Sequence, residues 1–415
     1  MRNFLRFHAV FLPALLLIAL AAPAHGTEPE VESRSPLLLI SLDGFRWDYC
    51  QKYPAETPNL RRLMAQGVTA RRLTPVFPSN TFPNHYSIVT GLYPAHHGML
   101  NNDMFDAATG DVFYYKSAAA VRNARWWGGE PIWTTAVRQG LKSACYFWVG
   151  SEAENHGVRP TFWYPYDYRV PFAQRLETLI GWLKLPVAER PAIVTFYLEE
   201  TNSAGHAFGP DSPELAAAVK LLDGHIGAIV DRLEAENLPA NLVIVSDHGM
   251  TEVSTERTLI IDDYVDMAAV QVDFTGSVAG LRPLQGDAAS LVAKFANLPH
   301  AHAYQLEELP AHLHLSATAR TPPVWLVPDE GWRVLRRSEY EKWRTGYALK
   351  GDHGYDPALT SMGAIFIAEG PSFKTGVVID AVENIHIYNL LCAALGLTPA
   401  PNDGDDRLVR AVLRD

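Results

Sequence analysis

The chain has 415 residues, of which 48% are hydrophobic and 20% charged, with a net charge of −11. That composition belongs to a folded globular protein and excludes disordered and fibrous classes. The acidic balance also argues against specific nucleic-acid binding, because phosphate backbones are held by clustered cations.

The N-terminus carries Arg2 and Arg6, then an apolar run from Ala9 to Ala22, then Ala22-Pro23-Ala24. This order reads as a cleavable signal peptide over residues 1–26,. The run is too short to span a bilayer and Pro13 interrupts it, so no membrane span is expected,. The mature segment 27–415 is therefore expected to be exported, to a periplasm or the medium. Losing the two arginines leaves 33 basic against 46 acidic residues, a net charge of −13. Cys50, Cys145 and Cys392 show no C-x-x-C spacing. Export would permit one disulfide, but buried free thiols are the simpler expectation.

Leu37–Leu42 is a buried-strand pattern that stops at Asp43-Gly44,. Thr57-Pro58 opens a helix that Gly67 closes,. Ala192–Leu198 is a second strand, ending at Glu199-Glu200. Ser212-Pro213-Glu214 then starts a long helix, whose Leu215, Val219, Leu222, Ile226, Ile229 and Leu233 form one apolar face,. Leu242–Val245 is a third strand, ending at Ser246-Asp247-His248-Gly249. Residues 253–350 carry short segments and scattered prolines, which suits an inserted subdomain or lid. A strand at Ala364–Ala368 and a helix over about Val382–Leu395, stopped by Gly396, close the chain. Alternating strands and helices predict an α/β fold with a mostly parallel sheet flanked by helices.

Such sheets carry their sites at the carboxyl ends of the strands. Three strands deliver Asp43, the Glu199–His206 loop and Asp247-His248 to that edge, and Gly351-Asp352-His353-Gly354 precedes the last strand. Carboxylate and imidazole are the ligand types that suit zinc. Singly, each of these residues reads as a turn former or a surface group. Four such loops converging on one edge do not. Thr81-Phe82-Pro83-Asn84-His85 places a hydroxyl at a loop-to-helix junction. In isolation that threonine is a helix cap. Beside a cation it becomes a nucleophile, with helix N–H groups facing a phosphate.

Taken in order, the motifs are Ser41-x-Asp43-Gly44-x-Arg46, Thr81-Phe82-Pro83-Asn84-His85-Tyr86, Gly91-Leu92-Tyr93-Pro94-x-x-His97-Gly98, Asn102-Asp103-Met104-Phe105-Asp106, Gly205-His206-x-x-Gly209-Pro210, Ser246-Asp247-His248-Gly249-Met250 and Gly351-Asp352-His353-Gly354. Together they resemble the nucleotide pyrophosphatase/phosphodiesterase family of the alkaline phosphatase superfamily, over nearly the whole mature chain. The resemblance implies an alkaline-phosphatase-like fold and a two-zinc hydrolase. Asp43, Asp247 and His248 would hold one zinc, which also meets Thr81. Asn202, His206 and His353 would hold the second. Asn102 and the Phe82 N–H would bind phosphoryl oxygens, and Phe82 and Tyr166 would stack a nucleobase. The implied reaction is hydrolysis of a small nucleotide or other phosphodiester through phospho-Thr81.

One departure stands out: the family carries an aspartate where this chain has Asn202, which removes a charge from the second site. A weakened second site, substitution by Glu199 or Glu200, and loss of turnover are the three consequences. The last would leave a non-catalytic nucleotide-binding protein. Phosphonate- and choline-phosphodiester-cleaving relatives also fit the motifs. A sulfatase does not, because Thr81 stands where a Cys-x-Pro-x-Arg sequence would be needed.

Overall fold

The computed structural model describes residues 35–346 and 349–414. The expected signal peptide, residues 1–26, lies outside the described residues. An eight-stranded sheet is built from β1 (Leu37–Leu42), β2 (Val68–Ala70), β3 (Ser143–Tyr146), β4 (Phe162–Tyr164), β5 (Ile193–Leu198), β6 (Asn241–Val245), β7 (Phe366–Glu369) and β8 (Val377–Ile379). Its spatial order is β8-β2-β7-β6-β1-β5-β3-β4. All neighbours run parallel except β7, which is antiparallel to both β6 and β2.

The central strand β1 explains the apolar run that announced it. Leu37 and Leu39 face one core, while Leu38, Ile40 and Leu42 face the other. Burial on both faces requires a continuous apolar strand, not an alternating one. Each fully buried leucine contributes roughly 1.5–3 kcal/mol. Helices α1 (Pro58–Gln66), α2 (Thr81–Thr90), α3 (Glu200–Phe208), α4 (Pro213–Ala235) and α5 (Ile387–Leu395) cover the sheet. The predicted face of α4 is buried residue for residue, and Ser212 caps it by accepting the Leu215 N–H at 3.1 Å. Asp223 on the same face accepts N–H bonds from Leu60 at 2.7 Å and Asn59 at 3.2 Å, docking α4 onto the first turn of α1.

The strands expected at Ala192–Leu198 and Leu242–Val245 each shift by one residue at their start, and two later boundaries move further. The strand expected at 364–368 is Phe366–Glu369, and β8 follows it. The helix expected over Val382–Leu395 begins at Ile387, because Val382–Glu383 is drawn into a pairing with Leu73–Thr74 and a 3-10 turn intervenes, and a short helix at Arg407–Val412 follows. Between residues 253 and 350 the chain builds its own four-stranded antiparallel sheet, with strands 270–274, 279–283, 324–328 and 301–305 in that spatial order. Cys50, Cys145 and Cys392 are buried and unpaired. No helix among the described residues is long and apolar enough to cross a membrane.

Candidate active site

The loops at the carboxyl ends of β1, β5 and β6 meet above the middle of the sheet. Asp43 directly follows β1, Asp247-His248 follows β6 by one residue, and α3 follows β5. Asp43, Asp247 and His248 are completely buried. His248 Nε2 lies 2.9 Å from Asp247 Oδ2, 3.5 Å from Asp43 Oδ1 and 3.3 Å from Thr81 Oγ1. Ligand atoms about 2.0 Å from a tetrahedral zinc are roughly 3.3 Å apart, so the spacing suits one cation.

The hydrogen bonds fix the polarity of this cluster. His248 Nδ1 donates to the Gly249 carbonyl at 2.9 Å, so Nε2 faces the carboxylates with a lone pair,. Asp43 Oδ1 and Asp247 Oδ2 are buried and accept no well-aligned hydrogen bond. Lone pairs therefore face one another, an arrangement that needs a positive charge between them. Without a metal, that charge is a proton. Burial works against protonating His248, but Asp247 and Asp43 outweigh it and bring the imidazole up to about 9. Burial, then repulsion from Asp247, pushes Asp43 up to about 7.

A second cluster repeats the logic. His206 Nδ1 donates to the Gly351 carbonyl at 2.9 Å and His353 Nδ1 to the Ser79 carbonyl at 3.1 Å. Their Nε2 atoms then face each other at 3.2 Å, both as lone pairs. Burial holds both rings below the usual imidazole range, so they stay neutral and ready to ligate. Asn202 sits four residues before His206 on α3, and its Oδ1 is buried without a hydrogen-bond partner. Among the described residues two acid-histidine groups could hold a metal ion: Asp43 with Asp247 and His248, and His206 with Asp352 and His353. The residues fit two cations.

Thr81 is the first residue of α2, after Asn80, and not its cap. Its hydroxyl is thus free of capping duty and turned toward His248, and the residue is 9% exposed. Phe82 N–H, a helix-start donor without an intrahelical partner, donates to Asn102 Oδ1 at 2.9 Å,. An anionic oxygen arriving there would replace that bond.

The sequence profile described as type I phosphodiesterase/nucleotide pyrophosphatase matches residues 37–356. The chain belongs to this family. It is 39% identical over 394 residues to human ectonucleotide pyrophosphatase/phosphodiesterase family member 1, covering 92% of this chain and 42% of that protein. It is 38% identical over 402 residues to a venom phosphodiesterase of Naja atra, covering 93% and 47%. The chain thus spans less than half the length of these curated relatives. Among solved structures, murine ectonucleotide pyrophosphatase/phosphodiesterase 5, in an inactive threonine-to-alanine form complexed with AMP, superposes with a TM-score of 0.85 and 34% identity, over 92% of this chain and all of that one. The human counterpart superposes with a TM-score of 0.86, again at 34% identity and over 92% of this chain.

The remaining surroundings of the site in this member of the type I phosphodiesterase/nucleotide pyrophosphatase family are aromatic and charged. Phe82 packs among Phe113, Tyr115 and Trp127, with ring centroids 5.8–6.1 Å away. Tyr166 belongs to a separate group, 5.5 Å from Phe147 and 5.9 Å from Tyr197, and is 48% exposed. Arg46 is a structural residue: its guanidinium grips Asp48 at 2.6 and 2.9 Å and reaches the Met250 carbonyl. Glu199 and Glu200 do not stand in for the missing aspartate. Arg175 holds both oxygens of Glu199 at 3.2 Å, and Glu200 turns toward His225 at 3.7 Å.

Three neighbours carried no role in the sequence reading. Tyr197 donates its hydroxyl to Asp43 Oδ2 at 2.5 Å. His85 Nδ1 donates to the Thr81 carbonyl at 2.9 Å and lies 3.2 Å from Asp247 Oδ2. The third, Asp352, joins His206 and His353.

Proposed function

We propose that the chain is an exported, zinc-dependent phosphodiesterase/nucleotide pyrophosphatase that works through a phosphothreonine on Thr81. The single observation that carries this reading is the pair of facing lone-pair clusters, with the uncapped Thr81 hydroxyl 3.3 Å from His248 Nε2. Asp43, Thr81, Asp247 and His248 would hold one zinc, and Asn202, His206 and His353 the other. Bound there, the ions would lower the pKa of the threonine hydroxyl and offset charge on the phosphoryl group.

The chain's own groups do the rest. Thr81 Oγ1 forms a bond to phosphorus as the bond to the leaving oxygen breaks, leaving the phosphoryl group with its remaining ester substituent on the threonine while the leaving oxygen takes up a proton. Water then attacks that phosphorus, the phosphate monoester is released, and the threonine hydroxyl is regenerated. Phe82 N–H and the Asn102 amide donate to non-bridging oxygens. The Phe82 and Tyr166 rings offer stacking faces for a base, a reading supported by the AMP complex of the related murine protein. Diester preference is supported by Arg46 being committed to Asp48, which leaves the motif arginine unavailable for an extra phosphate charge. Export rests on the basic and apolar residues of the N-terminus.

The test compares bis(p-nitrophenyl) phosphate with p-nitrophenyl phosphate on the zinc-loaded protein and its Thr81→Ala variant. Faster diester turnover is expected, with a loss of at least about a thousandfold on losing the nucleophile. Under turnover of the diester, intact-mass measurement should detect a p-nitrophenylphosphoryl adduct that Thr81→Ala lacks. Equal activity of the variant would overturn the mechanism, and faster monoester turnover would overturn the substrate class.

A further inference from the structure

The second cluster has a charge problem that its three expected residues cannot solve. His206 and His353 are neutral, and Asn202 brings only an amide oxygen. A dication among three neutral donors in a buried site is poorly compensated. The acids nearest in sequence face elsewhere. Glu200, with Ser203, Ala204 and Phe208, lines a cleft of about 680 Å³ on the face of α3 opposite Asn202 and His206,. Glu199 is committed to Arg175.

Asp352 is the carboxylate that the fold does bring there. Its ligand atom and those of His206 and His353 lie within 4.8 Å of one another. It is 8% exposed and sits on the two-residue strand Gly351–Asp352, paired with Thr251–Glu252 just beyond His248. The same strand accepts the His206 Nδ1–H through the Gly351 carbonyl. Asp352 Oδ1 accepts the His353 N–H at 3.0 Å, and Oδ2 meets Arg333 Nε at 2.8 Å. Each carboxylate oxygen keeps a further lone pair.

We propose that Asp352 supplies the negative charge that Asn202 withholds, so that the second cation site consists of Asn202, His206 and His353 backed by the Asp352 carboxylate. The proposal rests on the two-cation reading given above. Asp352 would act on the ion directly, and Arg333 would compete with the ion for its carboxylate.

The experiment titrates zinc into the metal-stripped full-length protein against a chromophoric chelator, reading equivalents bound and both affinities. Wild type, Asp352→Asn, Asn202→Asp and the double variant are compared. Two equivalents are expected in all four, with the tighter one unchanged as an internal check on folding. The weaker one should loosen about 10–100-fold in Asp352→Asn and tighten in Asn202→Asp. In the double variant, losing Asp352 should cost less than about threefold relative to Asn202→Asp alone, because the site has regained its charge. Wild-type affinity in Asp352→Asn overturns the proposal and leaves the two-cation reading standing. A single equivalent in every variant, Asn202→Asp included, overturns that reading and this proposal with it. Should Asp352→Asn fail to fold, Arg333→Gln keeps the carboxylate and removes its competitor. That variant should tighten the weaker equivalent severalfold, and an unchanged affinity counts against Asp352.

Discussion

At the scale of single residues, Tyr197 shows how the sheet prepares its carboxylates. The register of β1 against β5 sets Ser41 beside Tyr197 and Leu42 beside Leu198. The tyrosine hydroxyl thereby reaches Asp43 Oδ2 at 2.5 Å, while Oδ1 is left without a partner. A hydroxyl this close to a carboxylate forms a strong, charge-assisted bond that fixes the acid's rotamer. Tyr197→Phe keeps the ring volume and removes only that bond. Loss of the first zinc is expected to become about 10–100-fold easier in a chelator competition, as for other groups that orient a ligand. Unchanged retention would show that Asp43 needs no such support. The proposed ligands were legible because apolar strands announce their own ends, and Asp43, Asp247 and the residues of α3 follow those ends. Tyr197 was not legible. It lies inside the run IVTFYL, where a tyrosine reads as core, and only the pairing with β1 gives its hydroxyl a partner.

At the scale of elements, the junction between the β1 turn and α3 carries the second cluster. Gly44 has φ +69°, and a Cβ there would lie 3.0 Å from Asn202 Cα and 3.2 Å from its Cβ. The turn after Asp43 and the helix holding Asn202 thus pack backbone to backbone. Gly44→Ala should lose about 1–2 kcal/mol from the left-handed conformation alone. It should also displace α3, so the weaker zinc equivalent should loosen more than the tighter one, measured by urea unfolding and by metal titration. Equal loosening of both would mean that the turn, and not the helix, bears the strain. This helix was hidden in the sequence. Glu200–Phe208 includes Thr, Asn, Ser and Gly, which compete with or weaken helical hydrogen bonds, and the segment reads as a loop until packing overrides propensity,. The four-stranded sheet between residues 253 and 350 escaped for a different reason. Its strands are five residues long, too short for a period to stand out against the prolines between them,.

At the scale of the whole molecule, acid should unfold the protein partly through a histidine that takes no part in catalysis. His97 closes the short turn after α2 and is completely buried. Its Nδ1 accepts the Met99 N–H at 3.1 Å, so Nε2 carries the proton and donates to Ser87 Oγ at 3.0 Å. Neither nitrogen can take a second proton without breaking a bond, and burial pushes the imidazole down to about 3, helped by His96 and Arg320. Between that value and the ordinary 6.5, the unfolded chain binds a proton that the folded chain refuses. Stability therefore falls as pH falls through 6.5, by about 1.4 kcal/mol per unit, or roughly 2 kcal/mol at pH 5. The buried His206, His353 and His386 add to the same slope, whereas His85 and His248, held above the usual imidazole range, do not, so the contribution of His97 must be isolated by difference. His97→Gln retains one donor and one acceptor but does not titrate. At pH 8 the variant should be less stable than wild type by about 1–3 kcal/mol, from imperfect replacement of two buried hydrogen bonds. At pH 5 that deficit should shrink by about 2 kcal/mol, because wild type then carries a penalty that the glutamine escapes. Urea unfolding at both pH values reads the difference directly, and a deficit independent of pH would mean that His97 is not held neutral by the fold.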